Sequence, residues 1–211
     1  MVRLCAFAVI AVMLGLEFSH AQSMWASVAE KVLPSIVSVQ LESTDEHTGE
    51  KSYGTACSGF AIDAQRQLFM TAAHCRGEGR VGVNHEIAWV VYENATLDLM
   101  VLQSVGVSVP ALTPRTEPIT TGLAVAGVGH AYGFELPQMR TSVVSHPYMM
   151  IPPLKRFFLV FDQAPIGGQS GGPIVDASGN VVGIIQMGNA YTGLAQPIEV
   201  ILKASSAFWA R

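Results

Sequence analysis

One short stretch limits the possible folds of this chain more than any other, the run Gly167-Gly168-Gln169-Ser170-Gly171-Gly172-Pro173. Glycine loses more backbone freedom on folding than other residues, so this density of glycine opposes a regular helix or strand. The run therefore predicts a tight loop that exposes the Ser170 hydroxyl, with the backbone N–H groups of Gly168 and Ser170 aimed at one point. A nucleophile beside an oxyanion hole has that geometry. A plain glycine-rich hairpin loop is the alternative interpretation.

The residues after the loop favour the first interpretation. Residues 174–185 contain a short apolar run, a Ser-Gly-Asn turn and a second β-branched run, which is the pattern of a β-hairpin. A serine at the entrance to a buried hairpin is held by a rigid scaffold. Its hydroxyl still needs a base to accept its proton. The run Phe69-Met70-Thr71-Ala72-Ala73-His74-Cys75 supplies a candidate, because an apolar strand there ends at His74.

The two motifs together, TAAHC around His74 and GGQSGGP around Ser170, resemble the trypsin/chymotrypsin superfamily of serine endopeptidases. They also occur in that family's order, histidine before serine. The resemblance implies an all-β protein with two six-stranded β-barrels of the chymotrypsin fold, and an active site in the cleft between them. It further implies an acyl-enzyme mechanism in which His74 is base and then acid. The N–H groups of Gly168 and Ser170 would hold the oxyanion, and no cofactor or metal is expected.

A carboxylate is needed to complete a His-Asp-Ser triad, and Asp98 is the predicted one. It opens the apolar run Leu99-Met100-Val101-Leu102, where a partly buried carboxylate is costly unless it is paired. A hydrogen bond to the far nitrogen of His74 would pair it and fix the imidazole tautomer. Asp63, in a turn, and Asp162, near the serine loop, are the other candidates.

Short strands with turn signals between them indicate a β-barrel or sandwich, which matches the two barrels that the resemblance implies. The expected strands cover residues 35–41, 53–62, 67–72, 87–92 and 99–103 in the first half, and 123–128, 139–145, 157–161, 173–175, 181–187 and 193–196 in the second. Helical spacing is seen at residues 24–33, and a closing helix is expected at 198–209. The chain thus divides into a first barrel at about 35–106, a connector at about 107–121 and a second barrel at about 122–197.

Within the superfamily, the chain is most similar to the HtrA/Deg-type branch. The runs VAEKVLPSIVSV, GQSGGPIVDASGNVVGI and GLAQP carry that similarity. Three features depart from it. A cysteine follows His74, no PDZ domain is expected after Arg211, and Gln169 stands where other members have Asp or Asn. In the digestive enzymes of the superfamily, an N-terminal ammonium formed by cleavage pairs with an aspartate just before the nucleophile. Gln169 has that position here, and a neutral amide cannot form the ion pair, so no activating cleavage beyond removal of a signal peptide is expected.

The first 21 residues predict a secretory signal peptide, with a positive start, a short apolar run and a cut after Ala21. An uncleaved anchor is the alternative. The mature domain would span residues 22–211 and be secreted or periplasmic, without stable membrane insertion. No Lys/Arg cluster appears and the formal net charge is −4, which argues against nucleic acid as a partner. Cys5 would leave with the leader, and the remaining Cys57 and Cys75 predict a disulfide. A zinc site formed with His74 is the competing idea.

The family pattern also suggests the substrate. It places Ala164 at the floor of the primary specificity pocket, with Gly188 and Gly193 on its walls. The absence of acidic residues from these positions predicts small or medium apolar side chains, since a buried Lys or Arg would find no partner. Proteins or peptides are the expected substrates. The competing functions are a protease-fold binding protein without catalysis and an esterase of the same chemistry.

Overall fold

The computed structural model describes residues 24–44, 47–77 and 79–210, so the predicted signal peptide lies outside the described residues. The described part forms two closed antiparallel barrels of six strands each. This confirms the predicted fold class. Each barrel closes because its first and last members in the strand order pair with each other, which leaves no free sheet edge.

The first barrel has the strand order β1-β2-β3-β6-β5-β4. Its strands are β1 (Ile36–Thr44), β2 (Lys51–Asp63), β3 (Leu68–Ala72), β4 (Val81–Val83), β5 (Glu86–Asn94) and β6 (Leu99–Gln103). Five of them lie near their predicted positions. The sequence did not indicate β4, because three residues with a central glycine are too short to show alternation. The turn after it is also unusual, since Asn84 and His85 have φ values of +47° and +70°.

The second barrel has the order β10-β11-β12-β9-β8-β7. Its strands are β7 (Ala124–Gly129), β8 (Gln138–Ile151), β9 (Arg156–Phe161), β10 (Pro173–Asp176), β11 (Val181–Gly188) and β12 (Gly193–Pro197). All six were predicted. The strand β8 is longer than expected because register shifts after Val144 and after His146 carry its pairing with β9 past two irregularities.

The helices lie at the two ends of the described chain. Helix α1 covers residues 24–32 and continues into a 3₁₀ turn, Leu33–Ser35, where Pro34 ends regular helical hydrogen bonding. The predicted single closing helix is instead two short ones, α2 (Ile198–Ala204) and α3 (Ser206–Trp209). They separate at Ser205, whose hydroxyl donates back to the Ile201 carbonyl at 2.6 Å and so competes with the helical ladder.

Three apolar clusters hold the fold together. One fills the first barrel around Val37, Phe69 and Leu102, and one fills the second around Leu159 and Ile174. The third lies between the barrels and includes residues of both, together with residues of α1 and α2. This shared cluster fixes the relative position of the barrels, and therefore of any site built from both. No helix among the described residues has the length and apolar character needed to cross a bilayer.

Candidate active site

Strand pairing brings His74 and Asp98 together at the mouth of the first barrel. Ala72 at the end of β3 pairs with Leu99 at the start of β6, so the residues just beyond each strand are neighbours. His74 lies in the 3₁₀ turn Ala73–Cys75, which we call the histidine turn, and Asp98 immediately precedes β6. The Ala73 N–H also donates to the Asp98 carbonyl at 3.1 Å.

Both carboxylate oxygens of Asp98 accept hydrogen bonds from His74. The ring Nδ1 is 2.8 Å from Oδ2, and the backbone N–H donates to Oδ1 at 2.7 Å. Since an ionised carboxylate only accepts hydrogen bonds, Nδ1 carries the proton and Nε2 presents its lone pair. Asp98 has φ +52°, a left-handed conformation that costs most L residues energy and that Asp tolerates better than most. The predicted His–Asp pairing is therefore present in the structure.

A disulfide joins Cys57 on β2 to Cys75 in the histidine turn, as predicted. The bridge attaches the turn that carries His74 to the wall of the first barrel. Cys57, Cys75 and His74 do cluster within 4.8 Å of one another. Zinc binds thiolates, and sulfurs already joined to each other are not thiolates, so the competing zinc site does not fit this arrangement.

The loop Gly167–Gly172, which we call the serine loop, lies at the entrance to β10 as predicted. Two of its glycines are required by the local geometry. Gly168 has φ +93°, and a Cβ there would collide with the His130 carbonyl. Gly171 has φ +81°, and a Cβ there would collide with the Thr71 side chain and the Ser58 carbonyl. The loop can pass this close to the first barrel only because it lacks side chains at these positions.

A hydrogen bond from outside the loop determines how its first peptide group is oriented. The Tyr132 N–H donates to the Gly167 carbonyl at 2.6 Å. Because C=O and N–H lie on opposite sides of a trans peptide, the Gly168 N–H points away from Tyr132. Gln169 is buried, and its side-chain Oε1 accepts the Ile166 N–H at 2.9 Å. Its Nε2 has no hydrogen-bond partner among the described residues.

Ser58, directly after Cys57, connects the first barrel to the serine loop. Its N–H donates to the Ser170 carbonyl at 2.8 Å, and its hydroxyl donates to the Gly168 carbonyl at 2.7 Å. The same hydroxyl oxygen accepts the His130 N–H at 2.7 Å. Ser58 is completely buried. The Ser58 side chain thus holds the carbonyl of Gly168, the residue whose N–H is predicted to be an oxyanion donor.

Gln186, near the end of β11 in the second barrel, reaches across the cleft to the first barrel. Its Nε2 donates to the carbonyls of Leu97 and Asp98, at 2.6 and 3.1 Å. Its own carbonyl lies 3.5 Å from the Ser170 hydroxyl, a length at which an O–H···O hydrogen bond is weak. The Ser170 hydroxyl is therefore not held tightly by this contact. The Oε1 of Gln186 is buried and lacks a partner in the described part of the chain.

The other two candidate acids are elsewhere. Asp63 accepts the Arg66 N–H within its own turn, at 2.9 Å. Asp162 accepts the Ser142 hydroxyl at 2.7 Å and the Val143 N–H at 2.8 Å, and these hydrogen bonds lower the pKa of its carboxyl. Both carboxylates therefore have hydrogen-bond partners other than His74.

His130 is a second histidine near the serine loop, and it is almost completely buried. Burial lowers the pKa of its imidazole below 6.5, although hydrogen bonds to the backbone of Phe134 and Glu135 oppose the shift. Its Nδ1 lies 2.9 Å from the Phe134 carbonyl, so Nδ1 carries the proton of the neutral ring. The neutral His130 therefore adds no charge next to the serine loop.

The three residues predicted to form the primary specificity pocket differ in exposure, since Gly193 is buried, Ala164 is half-buried and Gly188 is exposed. Gly188 pairs with Gly193 across β11 and β12, as a shared wall requires. A Cβ on Gly188 would meet the Pro165 ring, and one on Gly193 would meet the Phe161 ring. Ala164 lines a cavity with Arg140, whose Nη1 donates to the Ala164 carbonyl at 2.9 Å. The assignment of these three residues to a substrate pocket stays a prediction.

The sequence interpretation missed Ser58, Tyr132 and Gln186. Two of them carried a signal, since Ser58 and Gln186 are polar residues inside apolar strands, where burial demands hydrogen-bond partners. Tyr132 carried none, because it acts through its backbone N–H.

Two closed six-stranded barrels, with a histidine–carboxylate pair on one and a glycine-flanked serine on the other, define the chymotrypsin-like class of folds. Residues 57–184, more than half of the chain, match the family described as trypsin-like peptidase domain. The chain belongs to that family.

Comparison with curated proteins gives the same result. The chain is 26% identical over 203 residues to the pro-apoptotic serine protease NMA111 of Debaryomyces hansenii, covering 86% of this chain and 21% of that protein. It is 26% identical over 190 residues to the protein of that name from Phaeosphaeria nodorum, covering 81% of this chain and 19% of that one. The chain thus spans about a fifth of the length of these relatives. The similarity supports the predicted HtrA-type branch.

A solved structure supports the fold. The active form of the Rv3671c protease from M. tuberculosis superimposes with a TM-score of 0.71 at 21% sequence identity. The match covers 85% of this chain and 82% of the other.

Proposed function

We propose that this protein is an exported serine endopeptidase that hydrolyses peptide bonds through an acyl-enzyme. The observation that carries the proposal is the doubly hydrogen-bonded His74–Asp98 pair on one barrel, together with a serine loop on the other whose Gly168 and Ser170 carbonyls accept hydrogen bonds from Ser58 of the first barrel. Membership of the trypsin-like peptidase domain family agrees with it.

In the proposed mechanism, the Ser170 Oγ attacks the scissile carbonyl carbon while His74 Nε2 takes its proton. Asp98 stabilises the imidazolium that forms, and it holds the tautomer that leaves Nε2 free to accept. The N–H groups of Gly168 and Ser170 stabilise the oxyanion. His74 then donates the proton to the leaving amine as the C–N bond breaks. A water molecule, deprotonated by the same nitrogen, hydrolyses the acyl-enzyme and regenerates Ser170.

Export is proposed from the leader-like first 21 residues and from the disulfide beside His74. A disulfide persists in an oxidising compartment and is rare in the reducing cytosol of mesophiles. The expected locations are therefore the periplasm or the exterior.

A protease-fold binding protein without catalysis remains the second candidate. The Phe161 ring packed on Gly193 favours it, because this ring lies against one predicted wall of the substrate pocket. Under the leading proposal, the same ring favours a small or medium apolar residue before the scissile bond.

Hydrolysis assays separate these candidates. The mature protein is expected to cleave casein, and Ser170→Ala is expected to lower kcat by roughly 10⁴-fold or more without loss of fold. Ser178→Ala, in the turn after β10, is the matched control and retains activity. Turnover of a small ester with none of casein would indicate an esterase. A wild-type protein that turns over neither would favour the binding protein.

A further inference from the structure

A cavity of about 660 Å³ opens beside His74, on the side of Asp98. The end of β11 contributes Gln186 to its lining, and the segment around the start of β9 contributes Leu154, Lys155 and Arg156. The cavity is therefore in the cleft, next to the proposed base. A side chain of a peptide bound in the cleft could therefore enter this cavity.

Arg156 is held in a fixed position at this cavity. Its Nη1 donates to the Thr96 carbonyl at 3.0 Å, and its guanidinium carbon lies 4.7 Å from the centre of the Phe158 ring. A guanidinium has five N–H donors in a rigid plane, so most of them remain for a ligand. A group oriented in advance loses less conformational entropy when it binds a carboxylate.

Lys155 adds a second positive charge from the adjacent position. It follows the 3₁₀ turn Pro152–Leu154, has φ +51° and is exposed. Within residues 24–44, 47–77 and 79–210, no carboxylate forms an ion pair with its ammonium. The acid in the cavity lining, Asp98, already accepts two hydrogen bonds from His74. The cavity therefore carries two cations against one carboxylate, that of Asp98, which attracts the Arg156 guanidinium and leaves an excess of positive charge, in a chain whose net charge is −4.

We infer that the protein selects peptides carrying a glutamate or aspartate near the scissile bond, with the carboxylate bound in this cavity by Lys155 and Arg156. The inference rests on the proposed peptidase function. A small or medium apolar residue before the scissile bond, which the predicted pocket would accept, provides little selectivity. Selection must then come from another position. The cationic cavity supplies a charged group that a neutral or basic side chain cannot match.

The test uses matched fluorogenic peptides in which Glu, Gln or Lys is placed in turn at each position from four before to three after the scissile bond, except the one immediately before it, which is kept as Ala. At one of the varied positions, kcat/KM for Glu is expected to exceed that for Lys by about tenfold or more, equivalent to about 1.4 kcal/mol. Because partly exposed charges are screened, the ratio should fall in 0.5 M NaCl.

Charge reversal assigns the preference to the cavity. In Lys155→Glu, the Glu-to-Lys ratio at that position is expected to fall below one. In Lys203→Glu, an equal charge change on the exposed side of α2, the ratio is expected to remain as in the wild type. A wild-type protein that cleaves all three peptides equally at every position, or a ratio that Lys155→Glu leaves unchanged, would overturn the inference.

A binding experiment tests the cationic cavity independently of whether the protein is a peptidase. The same peptides are titrated onto Ser170→Ala and followed by fluorescence anisotropy. Tighter binding of the Glu peptide, lost in the Ser170→Ala/Lys155→Glu double variant, supports the cationic cavity even if the wild-type protein cleaves nothing. Equal affinities for the Glu and Lys peptides refute it even if cleavage occurs.

Discussion

The two halves of the site are held in different ways. The histidine turn of the first barrel is joined to β2 by a disulfide, and His74 makes two hydrogen bonds to one carboxylate. The serine loop of the second barrel has no covalent bridge among the described residues, and hydrogen bonds with Tyr132, Ser58 and Ile185 hold its backbone. The comparison indicates that the acid–base pair is the rigid half. The nucleophile loop is the half that a small change can misplace.

Two adjacent residues on β2 serve both halves. Cys57 holds the histidine turn and Ser58 holds the serine loop, so one strand of the first barrel sets the distance between base and nucleophile. Gln186 supports the same alignment from the second barrel through the carbonyl of Asp98. Changes at these positions test whether rigidity is divided between the halves as described.

The largest effect is expected in the rigid half, from Asp98→Asn. Asn tolerates the left-handed backbone at this position, so the fold should persist. Its side chain presents an N–H group as well as an oxygen, which favours the wrong His74 tautomer, and kcat is expected to fall about 10⁴-fold. Steady-state peptide hydrolysis measures this, with circular dichroism as the control for folding. A folded variant within tenfold of the wild-type kcat would show that the pair does not drive the chemistry.

The second largest effect is expected from removal of the disulfide. Replacing both cysteines, Cys57→Ser with Cys75→Ser, removes a bridge between residues 18 apart. On the chain-entropy model, the free energy of unfolding should fall by about 3 kcal/mol. Urea unfolding of the double variant measures the loss, and thiol titration of the unreduced wild type should find neither sulfur free. Equal urea midpoints for the two proteins would mean that the bridge does not make this half rigid.

These outcomes depend on structure that the sequence revealed unevenly. The motifs around His74 and Ser170 predicted the fold through the family that they resemble, and the apolar run after Asp98 predicted the His–Asp pair, because a carboxylate there needs a partner. The contacts of Ser58 with Gly168, of Tyr132 with Gly167 and of Gln186 with Leu97 were not predictable, since the partners are separated by 110, 35 and 89 residues in the sequence. The three-residue β4 and the break at Ser205 also depend on pairing and side-chain hydrogen bonds that no local pattern expresses.

The half of the site that contains the serine loop is tested by Ser58→Ala, which leaves the Gly168 carbonyl and the His130 N–H without their buried partner. An unsatisfied buried group costs about 1–3 kcal/mol. If the serine loop shifts in response, kcat should fall about 10- to 100-fold while KM changes little, because oxyanion stabilisation is lost in the transition state.

A structural defect alone would not produce that pattern. The affinity of a peptidyl boronate, which mimics the tetrahedral intermediate, should therefore fall in parallel with kcat/KM. Ser52→Ala, which removes an exposed hydroxyl on the same strand, is the matched control. An unchanged boronate affinity in Ser58→Ala would remove Ser58 from the account of the serine loop.

The smallest effect is a pH dependence of stability near the serine loop. Because burial holds the pKa of His130 below 6.5, the unfolded chain takes up this proton before the folded protein does. The stability contributed by the neutral ring is complete above about 6.5 and is lost as the pH falls through the lowered folded value. Urea unfolding at pH 7.5 and 5.5 should show a larger loss in the wild type than in His130→Asn, which keeps an N–H donor and does not titrate. Equal losses would contradict this assignment.

The central claim is that the rigid pair and the serine loop form one catalytic unit, and active-site labelling tests it most directly. The wild-type protein is incubated with a fluorophosphonate, the modified residue is identified by mass spectrometry, and the labelling rate is compared with that of Asp98→Asn. The account predicts one adduct per molecule, on Ser170, formed at least about 10³-fold more slowly in the variant, since that serine depends on His74 and Asp98 for its reactivity. A folded wild-type protein that is not labelled at Ser170, or a variant labelled at the wild-type rate, would contradict it.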